Sequence, residues 1–595
     1  MYNIIDIYTK FIIYDLGAYM KIIKSSQIFY KSFKKNLKYL IGLCLIFILG
    51  SFFSVYPTRL LGDIINNLSK KSHNSYNVKF LIILYIIIRI IYLSLNIFGK
   101  YFQEYLSSKM QYELRTDSIL NITNINMIDF NNLQSTQFVT RIFDAITQLV
   151  TSIINIVVWI GKSLTTLMFT FYFLFKIDVT ITLIFIPLVF FMAIFTKKIS
   201  RKTKLLSKDE AEKSSYVRDL VQEIVSSFRE IKCYPYCKEW ILNKYNQKED
   251  NWRRSKVRFN FLSSAIFWLL SFFGIVVVSI ILIMAIQKTA NNTLATGDIT
   301  ALLLYSGNIF VNIMEVFNQF INFKTLEVVI ERFNEIMSKS TSKEKTKCIL
   351  NNYDIEFKNV SFSYNGTNTI LNNINLKIPF GKSISIIGES GSGKSTILKL
   401  ILGLYETTSG EVKIGDININ DLSREDIKKN ITCIFQNTFL YNSSIHDNIV
   451  LGREENIESL NEVLGLSCST NFINKFSNKL DTIVGERGSN LSGGQQQRLG
   501  IARGFLDGGK IILLDEISAA LDTITEQHII ENIKKIQNKT LVVVSHKPNM
   551  IRWTDYAVVI DNGEIVDIGT HDELLKRCPL YLKFMEDDDI VTNSI

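Results

Sequence analysis

Three short stretches of this chain carry residue types able to handle a polyphosphate. The first is "SISIIGESGSGKST" at 383–396, an apolar run that ends in glycines and opens a helix. Gly388, Gly393, Lys394 and Ser395 match the spacing G-x(4)-G-K-[ST]. Glycines let successive N–H groups curl around phosphate oxygens, and a helix start adds the positive end of its dipole. Lys394 is placed to reach the β- and γ-phosphates, and the Ser395 hydroxyl to ligate Mg²⁺. The second stretch, "KIILLDEISAALD" at 510–522, is a buried strand ending in Asp515 and Glu516. Asp515 suits the metal's shell, and Glu516 the polarisation of an attacking water. The third, "LVVVSHKP" at 541–548, is another buried strand, and it ends in His546. A solitary histidine is usually structural. At the end of a neighbouring parallel strand it falls on the ligand-binding edge of the sheet, where it would contact a γ-phosphate.

A fourth stretch, "NLSGGQQQRLG" at 490–500, repeats the glycine turn without a lysine. Ser492, Gly493, Gly494 and Gln495 open a helix and so suit an anion.

Together "GESGSGKST", "LSGGQ", "LLDE" and "SH" resemble the nucleotide-binding domain of ABC transporters, and "LSGGQ" separates that family from other P-loop ATPases. The resemblance implies ATP and Mg²⁺ as cofactors. It adds Ser390, Gly391, Ser392, Thr396, Gln495 and Asp522 to the nucleotide contacts. Tyr364 in "VSFSY" matches the aromatic that stacks on adenine. Gln436 in "CIFQNTFLYNSSIHDNI" matches a glutamine that touches Mg²⁺ and the attacking water. The resemblance also implies that segment 491–495 caps the γ-phosphate held by a second chain, so that two half-transporters enclose two ATPs. One departure is Ala519, where the family usually has serine, and it bears on coupling across the dimer rather than on hydrolysis.

These motifs need elements to hold them. Hydrophobic residues make up 47% of the 595, high for a soluble chain of this length. The first half offers six apolar stretches at 38–57, 78–98, 152–175, 179–197, 261–287 and 299–322, each near the roughly 20 residues that span a membrane. The gaps at 99–151 and 198–260 are long, polar and helix-like. Lys and Arg crowd 198–260 and 24–38, which puts both long gaps and both termini on the cytoplasmic side. The basic segment is either a tether for lipid headgroups or helices protruding to meet another element. The expected fold is therefore a six-span α-helical transmembrane domain followed by an α/β P-loop ATPase domain with a helical subdomain. Its boundaries are an amphipathic membrane-surface segment (1–37), the transmembrane domain (38–325), a linker (326–352), the nucleotide-binding domain (353–585) and a frayed acidic tail (586–595). Of seven cysteines only Cys233 and Cys237 are near neighbours, without a second pair or a histidine cluster, so reduced structural thiols are expected rather than a zinc site.

"ELRTDSILNITNINMIDFNN" and "VQEIVSSFREIK" look like the two cytoplasmic loops of ABC exporters. Short coupling helices are expected near 126–134, with Phe130 as a plug or else a plain turn, and within 212–230. Within the spans, Arg89, Lys162 and Glu315 are charged. Asn308, Asn312, Glu315, Gln319 and Asn322 share one helical face. That stripe lines a substrate path, or else bonds helix to helix. The predicted activity is ATP-driven export across a bacterial inner membrane, with the second half-transporter, membrane lipid and cargo as partners and no nucleic acid. A peptide is the leading cargo, because "SFREIK" and "KRCPLYLKFMEDDD" loosely resemble exporters of modified peptides. Drug or lipid export and an ATP-gated channel are the alternatives. The net charge of +10 does not indicate nucleic acid, because the basic residues cluster beside the apolar runs.

Overall fold

Apolar runs of this length can satisfy their backbone polar groups in lipid only as helices. The computed structural model describes residues 27–69, 75–131, 135–291, 293–337 and 350–592. Its first half comprises α1 (Gln27–Lys35), α2 (Leu37–Ser69), α3 (Ser75–Thr123), α4 (Met127–Asn131), α5 (Ser135–Ile177), α6 (Val179–Leu183), α7 (Phe185–Ser226), α8 (Phe228–Cys233), α9 (Cys237–Ala290) and α10 (Thr296–Met337). Among the described residues, five helices are long and apolar enough to cross a membrane, within 37–69, 76–123, 142–177, 237–290 and 296–316. The remaining expected span, 179–197, falls on α6 and α7, but the side chains of 188–201 lie outside the described residues.

The polar gaps are largely continuations of the same helices. The basic segment 198–260 forms the end of α7, the short α8 and the start of α9, so it is helical as expected. With 54 residues, α9 is about 80 Å long, well beyond a ~30 Å hydrocarbon core. α10 continues to Met337, so 326–337 is helix where a linker was expected. The chain falls into two compact units: α1–α3 with α5–α10, and α4 with the residues after 350.

In the first unit, one apolar cluster gathers Leu43, Leu106, Met110, Ile146, Ile153 and Phe333, and a second gathers Val55, Phe173, Phe185, Ile281 and Tyr305. α1 joins the first of these through buried Phe29. Ser32 and Asn36 donate to the Glu113 carboxylate at 3.2 and 2.8 Å, and Lys35 pairs with it at 2.9 Å. The part of the expected amphipathic segment before residue 27 lies outside the described residues. α2 and α10 meet backbone to backbone, as small residues permit. A Cβ on Gly297 would stand 2.1 Å from the Gly62 carbonyl oxygen. The Gly297 N–H donates to Asn66 Oδ1 at 2.7 Å, and Arg59 bridges Asp63 and Asp298 at 2.9 and 3.0 Å.

The second unit has ten strands among the described residues: β1 (Ile355–Phe362), β2 (Leu371–Ile378), β3 (Ser383–Ile387), β4 (Ser409–Ile414), β5 (Ile417–Asn418), β6 (Ile431–Ile434), β7 (Ile511–Asp515), β8 (Thr540–Val544), β9 (Tyr556–Asp561) and β10 (Glu564–Gly569). An antiparallel sheet has the order β2-β1-β4-β5, and a larger one has β10-β9-β3-β8-β7-β6. In the larger sheet β9-β3-β8-β7-β6 are parallel, and β10 pairs antiparallel to β9. Parallel strands buried on both faces read as unbroken apolar runs. On β7, Ile511 and Leu513 enter one core while Ile512 and Leu514 enter another; Val542 and Val544 against Leu541 and Val543 do the same on β8. Helix α11 (Lys394–Ile401) follows β3 into the first core. Helix α12 (Gly493–Asp507) centres the second core, a helical subdomain in which Leu499, Ile501 and Phe505 meet Ile449, Leu460 and Phe472. Helix α13 (Thr523–Lys534) adds Ile529 and Ile533 to it. The last helix, α14 (Pro579–Thr592), carries helical backbone into the tail expected to fray.

The Gly62–Gly297 contact predicts that Gly297→Val lowers the melting temperature of the lipid-reconstituted protein by about 5 °C, from an overpacking cost of about 1–3 kcal/mol. Gly307→Ala, where a Cβ meets nothing within 4 Å, is the control and should not lower it. Thermal unfolding followed by tryptophan fluorescence checks both.

Candidate functional site

Burial on both faces leaves the strand ends as the places where polar chemistry can emerge, and the candidate residues collect at the carboxyl ends of β3, β7, β8 and β6. After β3 the chain turns at Gly388, where a Cβ would sit 2.2 Å from the Ile560 carbonyl oxygen. Gly393 caps α11 at φ +104°, and a Cβ there would strike Leu371 Cδ2 at 2.5 Å. Both positions exclude larger residues and keep the loop backbone close.

Lys394 is 5% exposed, and its Nζ donates to the carbonyls of Gly388 and Glu389 at 2.8 Å each. Burial pushes its pKa down, against the pull of Glu516 and Asp515. Ser395 Oγ donates to Asp515 Oδ1 at 3.3 Å, bringing a hydroxyl from α11 to the carboxylate that ends β7. Burial raises the Asp515 pKa, and the Ser395 bond opposes the rise. The Ser392 side chain is buried, and its Oγ has no protein partner. An orphaned buried hydroxyl, a buried ammonium and a tight glycine turn fit a bound polyphosphate. The Ser395–Asp515 pair is an all-oxygen donor set that fits a hard divalent cation. Among the described residues no group of three or more His, Cys, Asp or Glu could hold a metal.

Three expected catalytic residues meet at one carboxylate. Gln436 Nε2 donates to Glu516 Oε2, and His546 Nε2 lies 3.2 Å from Glu516 Oε1. Burial and the Lys394 charge hold the His546 pKa below its ordinary value, and the Glu516 carboxylate pulls it the other way. Glu516 has φ +47°, a left-handed backbone that a non-glycine residue rarely adopts. Tyr364 is edge-on to Phe362 and Tyr405 with centroids 4.8 and 5.1 Å away, and its hydroxyl is 3.2 Å from Thr396 Oγ1. Ser390 and Gly391 are exposed on the loop.

Other candidates stand apart. Ser492 closes the start of α12 with a capping box: its Oγ accepts from the Gln495 N–H at 3.3 Å, and its own N–H donates to Gln495 Oε1 at 2.9 Å. Ser492 and Gly493 are exposed, and among the described residues no hydrogen bond joins 492–495 to 388–396. Asp522 caps α13 by accepting from the Thr525 N–H at 2.9 Å, a bond that lowers its pKa.

The membrane candidates do not converge. Arg89 bonds Tyr85 on its own helix at 3.3 Å. Lys162 lies 3.5 Å from Asn96 Oδ1, with the Trp159 and Phe47 rings at 5.1 and 5.8 Å. Asn312 donates to the Asn308 carbonyl, and Gln319 to Glu315 Oε1 at 3.0 Å, both within α10. The Asn322 side chain lies outside the described residues. Of the expected coupling helices, α4 groups with the second unit, where Met127 packs on the core between the sheets. The other short helix, α8, begins at Phe228, at the very end of the expected window, because α7 runs unbroken to Ser226.

Motif reasoning missed Gln497 and Lys547. Gln497 is 3% exposed and bonds the Glu516 carbonyl and the Ala520 N–H, at 3.2 and 3.1 Å. Lys547 Nζ donates to the Ser518 carbonyl at 2.9 Å and to buried Glu526 at 2.7 Å. A polar side chain amid the apolar positions of α12 was the available signal for Gln497. No local pattern marks Lys547.

The family profile described as "ABC transporter" matches residues 371–519, and "ABC transporter transmembrane region" matches 40–314. An export ATP-binding/permease protein of Rickettsia typhi is 30% identical over 558 residues, 90% of this chain and 95% of that protein. The lactococcin-G-processing and transport ATP-binding protein of Lactococcus lactis is 34% identical over 279 residues, 46% of this chain and 40% of that one. A solved bacterial Atm1-family ABC exporter with ATP bound shares the fold at a TM-score of 0.82 with 19% identity, over 93% of this chain and 99% of that one. A multi-pass membrane half joined to an ATP-binding half makes this chain a member of the ABC transporter family, an exporter-type half-transporter that couples ATPase activity to transport.

Proposed function

We propose that two copies of this chain form the working unit, with each ATP held between the P-loop of one and segment 491–495 of the other. The observation that carries this reading is the exposed, self-capped start of α12, an anion-binding helix end unbonded to the phosphate loop of its own chain. Backbone amides of 388–396, Ser392 and Lys394 hold the phosphates, and Tyr364 stacks on the base. Ser395, Asp515 and Gln436 would hold Mg²⁺, which would offset negative charge on the phosphates. Glu516 accepts a hydrogen bond from the attacking water and orients it in line. Gln436 and His546 fix the carboxylate from either side. ATP joins the two ATPase units and hydrolysis releases them, and α4 and α8 pass the movement to the helices. The chain then alternates between inward- and outward-facing states in a bacterial inner membrane, with both termini cytoplasmic.

The cargo we favour is a peptide, in line with the similarity to the lactococcin transporter. Relatives named as a multidrug exporter of Bacillus subtilis and a lipid A-core flippase of Wigglesworthia glossinidia support drug or lipid cargo instead. Asn308, Asn312, Glu315, Gln319 and Asn322 on α10, with Arg89 and Lys162, line the path. A screen of peptides, dyes and lipids for stimulation of ATPase activity in nanodiscs separates the cargo classes. Glu315→Ala and Asn312→Leu should abolish the stimulation and leave unstimulated turnover intact; unchanged stimulation would remove this face from the path.

Glu516→Gln should slow phosphate release on the order of 10²-fold while ATP binding persists, as expected for loss of a catalytic base. In a mixed dimer of Ser492→Arg and Lys394→Ala subunits, one pocket stays intact only if the site is shared, so roughly half of the parental ATP binding should remain. Loss of both pockets would place each site within a single chain.

A further inference from the structure

We propose that Gln497 is a positioning residue that locks the backbone of Glu516 to the start of α12, so that docking of segment 491–495 also sets the catalytic carboxylate. This rests on the reading above, in which 491–495 meets the partner's nucleotide and Glu516 serves its own. Three consecutive glutamines on α12 have different partners. Gln495 completes the cap of Ser492, and Gln496 Nε2 donates to the carbonyls of Gly488 and Leu491 at 2.9 and 3.2 Å. Gln497 alone of the three turns to the loop after β7. Its Nε2 donates to the Glu516 carbonyl at 3.2 Å and its Oε1 accepts from the Ala520 N–H at 3.1 Å. Both ends of one buried amide are thus spent on residues 516 and 520.

The loop needs such a hold. Glu516 sits at φ +47°, where an L side chain is disfavoured, so its conformation persists only if its surroundings impose it. The Glu516 N–H donates to the Val544 carbonyl at 2.8 Å, and its carbonyl accepts from Gln497 and from the Ala519 N–H at 3.2 Å. The glycines of the signature pack directly on the same loop: a Cβ on Gly494 would lie 2.8 Å from the Ala520 carbonyl oxygen, and one on Gly493 3.6 Å from Ala520 Cβ. From the other side Lys547, next to His546, holds the Ser518 carbonyl while paired with buried Glu526. Loop 516–520 is therefore gripped between α12 and the end of β8, and a shift of α12 must carry the Glu516 backbone with it. Both hydrogen bonds of the Gln497 amide go to the backbone of the loop, so its effect is on placement, and placement errors near 1 Å can cost up to about 10²-fold in rate.

The test uses the full chain in lipid nanodiscs. Gln497→Met keeps length and volume without either hydrogen bond, and Gln497→Glu keeps the acceptor for Ala520 but loses the donor to Glu516. Both are expected to lower kcat about tenfold or more with KM for ATP within about twofold, the signature of misplacement without lost binding. Hydrogen exchange supplies a readout independent of hydrolysis. In the parent, a non-hydrolysable ATP analogue should slow exchange at both 388–396 and 516–521. In Gln497→Met it should still slow 388–396 but not 516–521. Parental kcat in either folded variant, or undiminished protection of 516–521 in Gln497→Met, overturns the proposal. Normal hydrolysis by Glu516→Gln would instead sink the catalytic reading of Glu516, and the exchange result would still report on the link.

Discussion

Strands β3, β7 and β8 have no face open to water. On β7 and β8 side chains above and below enter separate apolar cores, and β3 places Ile384 and Ile386 in the first of these and Ile387 in a third, so alternation cannot set a polar residue along the strands without burying it, as it buries Ser385. Polar groups emerge where the strands stop, and all three stop on the same edge because they run parallel. That constraint brings Gly388, Asp515 and His546 together from segments more than a hundred residues apart in sequence at the extremes. The same environment is hostile to charge. On neighbouring β6, burial pushes the Cys433 thiol up to about 12.

The strand-end groups inherit part of that hostility. Burial lowers the affinity of Lys394 for its proton and raises that of Asp515, so the interior disfavours the charged form of each. Two carboxylates near the lysine offset its penalty only in part. Phosphate oxygens beside Lys394 and a cation beside Asp515 would supply the opposite charge that offsets the remaining penalty on each. The site is therefore electrostatically matched to a metal–polyphosphate pair more than to either alone.

Much of this was legible in the sequence because the signals were local. A glycine spacing fixes a turn, an apolar run ending in Asp-Glu fixes a strand end, and a run of about 20 apolar residues requires a helix. Gly388, Lys394, Ser395, Asp515, Glu516 and His546 were all accessible this way, as was the helical start at Ser492. What escaped depends on partners distant in the chain. The contact of Gln497 with residues 516 and 520 follows from how α12 packs beside β7, and Lys547 matters only because α13 offers Glu526 to it. The apolar run at 11–23 that suggested a membrane-surface segment lies outside the described residues, and the helix that follows it, α1, is held by Glu113, about eighty residues on. Helix ends were also misjudged. The polar run at 338–347 suggested a linker from 326 onward, but Ile330 and Phe333 are buried in the first core and 326–337 stays helical, as does the acidic tail to Thr592.

The continuity of α9 has a mechanical consequence. A helix of 54 residues without an internal proline behaves as a stiff lever about 80 Å long. Tilting it by about 5° about one end sweeps the other through about 7 Å, farther than one helical turn. Small rotations at either end are thereby magnified along the rod, and no residue between needs to unfold for motion to be transmitted.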